Sequence, residues 1–149
     1  MDERLTTAEA WLAEAVYASR ARQAAGVSLL RAAERDGSAP TNCGLGRDAA
    51  VELAPTPRAA ELAAALWPTP LTESALRAVQ DVAARWVERQ DQLDRDRNHF
   101  LKAFRTRHGF DRNAYTPELL AQFEAGLAEV NARVDAERRE AAESLLAAS

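Results

Sequence analysis

Residues 72–108 read TESALRAVQDVAARWVERQDQLDRDRNHFLKAFRTRH, a run of 37 positions without glycine or proline. Leu76, Val79, Ala83, Trp86, Gln90, Leu93, Arg97, Phe100 and Phe104 recur along it at alternating steps of three and four. That spacing is a heptad seam, and it predicts one long helix from about Thr72 to His108. At ~1.5 Å per residue such a helix exceeds roughly 50 Å. Leu71 ahead of Thr72, with Leu76 inside, fits a hydrophobic staple at the start, and Gly109 fits the end. Gln90 and Arg97 interrupt the seam. Polar groups at such positions set register and partner choice at some cost in stability. Glu124, Glu129 and Glu137 are the candidate partners of Arg97, and the far half of the pair is expected to be tightened by a second copy or another protein.

Downstream, GFDRNAYTP (109–117) reads as a turn. Thr116 and Pro117 supply an N-cap and a first-turn proline, with Tyr115 placed to staple onto Leu120. Leu120, Phe123, Leu127, Val130, Val134, Glu137 and Ala141 then repeat the three-four alternation. Two heptad helices on a short turn predict an antiparallel αα-hairpin.

Upstream, Thr6 and Glu9 have the spacing of a capping box, and Ala8, Trp11, Leu12, Ala15 and Val16 follow at helical intervals. Val27, Leu30 and Ala33 resume the pattern beyond Gly26, where a bend or split is expected, and Gly37 is the expected stop. Residues 36–47, DGSAPTNCGLGR, form a loop, followed by a short helical turn at Asp48–Leu53. Thr56-Pro57 opens another short helix reaching Leu66 or Trp67, closed by Trp67-Pro68-Thr69-Pro70. The expected fold is all-α: one helical domain over 1–149, with an N-terminal helix (6–35), loop and short helices (36–70) and a long hairpin (71–149). The N-terminal helix and the short segments are expected to pack across the hairpin's open face.

Bulk composition narrows the function. Hydrophobic residues are 47% of the 149 but aromatics only 6%, so an Ala- and Leu-rich core is expected to draw on long helices or self-association for stability. The net charge of −4 argues against a general binder of nucleic acid or anionic membrane. Nothing resembles a secretory signal or an apolar run of about 18 residues, which points to the cytoplasm with no membrane partner. Cys43 is the single cysteine, so neither an internal disulfide nor a multi-cysteine zinc site is possible.

The most unusual stretch is 95–112, RDRNHFLKAFRTRHGFDR. Arg97, Lys102, Arg105, Arg107, His108, Phe110 and Arg112, with nearby Tyr115, form a basic-aromatic hairpin tip and are the candidate contacts to a partner or to nucleic acid. Basic groups neutralise phosphates and aromatics stack on bases. Phe100 and Phe104 nevertheless lie on the seam, which assigns them to packing. Asn42–Asp48 is a small glycine loop without the phosphate-loop pattern, and nothing ties His99 or His108 to Cys43 as a catalytic base. Asp96 with His99 makes one carboxylate-x-x-His step, where a di-iron bundle needs two, and Glu88 with Asp91 is the one acid pair assigned at i, i+3. No catalytic residue, cofactor or metal site is assigned. The expected role is a non-enzymatic structural, adaptor or assembly protein acting through helix-helix contacts and self-association. The alternatives are a binder of nucleic acid or a phosphate ligand through the tip, and a helical-bundle enzyme.

Overall fold

The computed structural model describes the backbone of residues 2–35 and 56–149 and the side chains of 2–21 and 56–149. Four α-helices account for nearly all of these residues: α1 (Glu3–Arg35), α2 (Pro57–Leu66), α3 (Glu73–His108) and α4 (Pro117–Ala148). A short 3₁₀ turn, Arg112–Ala114, lies between α3 and α4. No strand occurs among the described residues, and none of their helices is long and apolar enough to cross a membrane.

Three helix starts follow the expected local chemistry. Thr56, Thr72 and Thr116 each hold an extended backbone, and each hydroxyl accepts the N–H three residues on, at 3.1, 3.1 and 3.2 Å. The start of α1 differs from the capping box expected at Thr6. The helix begins three residues earlier, where the Asp2 carboxylate accepts the Arg4 N–H at 3.0 Å. Thr6 sits inside the first turns, and its hydroxyl donates back to the Asp2 carbonyl. An aspartate caps as well as a threonine does, and the earlier cap adds a turn to the helix. The helix also runs across Gly26 without splitting. The stop expected at Gly37, the loop 36–47, the turn at Asp48–Leu53 and Cys43 fall outside the described residues.

α3 and α4 form the antiparallel hairpin, and α1 packs against both. α1 runs in the same sense as α3. Arg4 shares one end of the bundle with Leu71, Thr72 and Ser149, while Arg20 reaches Asp91 and Asp94 further up α3. α2 returns antiparallel along α1: Glu14 meets Thr56 and Arg58 near its start, and Arg4 donates to the Leu66 carbonyl at its end. The expected packing across the open face thus holds for the N-terminal helix, whereas α2 rests chiefly on α1.

One contiguous core fills this arrangement. Trp11, Leu12, Val79, Leu93 and Leu145 are its most deeply buried large side chains, with Leu66 and Trp86 close behind. Trp67 stands edge-on to Trp11, ring centroids 5.3 Å apart. The seam of α3 is broader here than a bare hairpin requires, because Val82 and Val87 are buried beside Val79, Ala83 and Trp86. The extra width serves α1. Buried Ala142 and Leu145 widen α4 in the same way next to the seam position Ala141.

Across the hairpin, Arg89 makes a two-pronged contact with Glu137, Nε and Nη2 donating to its two carboxylate oxygens at 2.7 and 3.0 Å. Glu137 was a candidate partner of Arg97; the register gives it to Arg89, and Glu124 pairs with Arg112. The hydrogen bonds from Arg89 hold the Glu137 carboxyl below its usual range, with desolvation opposing them. With a folded pKa below the unfolded one, the unfolded chain takes up more protons on acidification. The contribution of this pair is therefore present above the ordinary carboxylate range and lost as pH falls through the folded value. Glu137→Gln is expected to melt below the wild type at pH 7 and to converge with it as pH falls through and below the ordinary carboxylate range, by thermal melting followed by circular dichroism.

Candidate functional site

The hairpin tip is built by local chemistry from both helix ends. The last turn of α3 carries Arg105, Arg107 and His108. The two arginines offset the negative end of the macrodipole, worth about 0.3–1 kcal/mol each at the surface. Gly109 ends the helix at φ 100° and ψ 161°, a region closed to side-chain-bearing residues, while its N–H still reaches the Arg105 carbonyl at 2.8 Å. The Asp111 carboxylate then accepts the Asn113 N–H at 3.0 Å and starts the 3₁₀ turn. The Tyr115 hydroxyl donates to the Gly109 carbonyl at 2.5 Å, tying the end of the turn to its beginning.

Beneath the turn lies a second, aromatic core. Phe104 is at its centre, with ring centroids 5.1 Å from Phe123, 5.8 Å from Phe100, 5.8 Å from Tyr115 and 4.6 Å from His108. Phe123 is buried, and the Arg112 guanidinium lies 5.3 Å above its ring while donating to Glu124 at 3.1 Å. Phe100 lies against Gly126 of α4. A Cβ placed on Gly126 would stand 2.2 Å from the end of that ring, so only glycine admits it where it now sits.

The eight expected contact residues are dispersed by this arrangement. His108 and Tyr115 are half-buried members of the aromatic core, and Arg112 is engaged by Glu124. Arg97 lies lower on α3, beside Arg20, Asp91, Asp94 and Asn98. Lys102, Arg105 and Arg107 are exposed. At about 100° per residue, Lys102 and Arg105 lie roughly 60° apart on the helix, and Arg107 about 140° from Lys102. They do not share one face. Phe110 stands alone: it is 76% exposed on the braced turn.

Phe123, Glu124 and Gly126 complete the tip and were not singled out as site residues from the sequence. The signal for Gly126 was a lone glycine inside a helical pattern, a position that costs about 1 kcal/mol against alanine. Also overlooked were the overlapping acid steps Glu137, Glu140 and Glu143 on α4. Glu137 and Glu140 border a cleft of about 280 Å³ with Arg85, Trp86 and Arg89. Among the described residues no three His, Cys, Asp or Glu side chains gather closely enough to hold a metal. The chain matches no family model, no curated protein and no solved structure.

The Phe100–Gly126 contact yields a paired prediction. Alanine is favoured over glycine within a helix by about 1 kcal/mol. Gly126→Ala in the Phe100→Ala background is expected to raise stability by roughly that amount. In the wild-type background the displaced ring is expected to cancel or reverse the gain. Equal effects in both backgrounds, in urea-unfolding cycles, would show that the ring is not seated on the glycine.

Proposed function

We propose that this protein is a non-enzymatic assembly or adaptor protein that acts through contacts between helical surfaces and associates with itself. The observation that carries the reading is Phe110, an aromatic side chain held out to solvent by a turn whose backbone is fixed at both ends. A large apolar group is costly to leave in water. On a pre-ordered turn it loses little conformational entropy when a partner covers it, which is the character of an interface anchor. The other tip aromatics are committed to the hairpin, so Phe110 is the ring the tip can offer. No cofactor enters this reading.

The experiment is size-exclusion chromatography with light scattering and absorbance at 260 and 280 nm. Wild-type protein is expected to run above the monomer mass without nucleic acid. Phe110→Ala is expected to weaken association about tenfold or more while leaving Tm within about 2 °C. Parallel loss of association and stability would instead make Phe110 part of the fold.

A second reading, binding of nucleic acid or a phosphate ligand, draws on the exposed cations Lys102, Arg105 and Arg107. It expects co-purified nucleic acid and a salt-dependent affinity, lost in Arg105→Glu with Arg107→Glu while the melting curve is retained. Unchanged affinity in that double variant removes this reading.

A further inference from the structure

Resting on the self-association proposed above, we infer that copies join head to tail, with Phe110 of one seated in a cleft at the opposite end of the next. The cleft, about 320 Å³, opens where Arg4 of α1 meets the α2–α3 connection. Trp67, Pro68, Pro70 and Leu71 are among its apolar walls, and Arg4 and Thr69 are among its polar ones. The space is about twice the ~150 Å³ that holds a benzene ring, so it admits the phenyl ring together with part of the turn that carries it.

Charge favours the same pairing. Among the described residues of the tip, Lys102, Arg105, Arg107 and Arg112 face Asp111, Glu118 and Glu124, one positive charge in excess. At the cleft end Asp2, Glu3, Glu73 and Glu143 are exposed against Arg4 and Arg77, two negative charges in excess. Unlike ends attract and like ends repel, so tip-to-cleft contact is preferred over tip-to-tip. Knob and cleft are separated by the length of α3, 36 residues or roughly 54 Å. A contact between different surfaces at opposite ends of a rod is heterologous; joined along the rod axis, it adds copies as an open chain and not as a closed pair. One phenylalanine buries on the order of 150–250 Å², far below the ~1,000 Å² of a stable interface, so the joint is weak and concentration-dependent.

The test uses two variants of the full chain. Phe110→Asp removes the knob and leaves the cleft. Thr69→Arg places a bulky cation in the cleft and leaves the knob; Pro68→Arg replaces it if Thr69→Arg lowers the melting temperature. By light scattering over a concentration series, the wild-type mass is expected to climb without a plateau, and each variant alone is expected to stay monomeric. An equimolar mixture is expected to level off at twice the monomer mass, since one intact knob and one intact cleft remain. If the cleft variants assemble like wild type while Phe110→Asp does not, self-association stands and the head-to-tail joint falls. A mixture that stays monomeric also overturns the joint. Wild-type protein that stays monomeric at every concentration overturns both.

Discussion

A two-helix hairpin has one buried seam and leaves the rest of its apolar surface in water. The contact that resolves this is α1 lying along α3 and α4, with Trp11 and Leu12 withdrawn from solvent against the face that includes Val79, Trp86 and Leu145. Burial of such side chains is worth about 1.5–3 kcal/mol each, which neither hairpin helix obtains in the other's company alone. Other features depend on it. α2 is positioned because α1 offers it a surface, and Trp67 is packed because Trp11 is there to meet it. Arg4, at the start of α1, completes the cleft beside Trp67 and donates to the Leu66 carbonyl.

The two ends of the bundle are built by different physics. One end is a broad aliphatic and tryptophan core shared by four helices. The other is a compact aromatic cluster within the hairpin, closed by a tyrosine-to-backbone bond and an arginine over a ring. The tip therefore has its own structural support, and exposing Phe110 costs the main core nothing.

Much of this was legible in residues 71–149. The caps at Thr72 and Thr116 and the stop at Gly109 are local chemistry, complete within a few residues. The heptad positions assigned Phe100, Phe104 and Phe123 to packing for the same reason. The start of α1 was misplaced because two hydrogen-bonding side chains, Asp2 and Thr6, compete for one role and the pattern does not rank them. Ion pairing was less legible still. A periodic helix shows which face is buried but not its offset along a partner, so Glu137 went to Arg89 and not to Arg97. Gly126 escaped because hydrophobic patterning records side chains, and its contribution is the lack of one. The cleft was invisible for a further reason: it is assembled from α1, the α2–α3 connection and the chain's last residues, which only tertiary structure brings together.

The seating of Phe100 on Gly126 has a consequence for how hairpins recognise their other half. Gly126 is the only glycine in α4, so it marks a single offset at which the ring is admitted. Sliding α4 by one turn would bring Gln122 or Val130 to that place. The notch therefore measures distance along the two helices, but it is indifferent to whether they belong to the same molecule. An α4 lent by a neighbour would fit equally well, as in an exchange of identical elements between copies. What keeps the match within one chain is the shortness of the connection from Gly109 to Thr116, which holds α4 beside α3 at an effective concentration that a free neighbour rarely reaches.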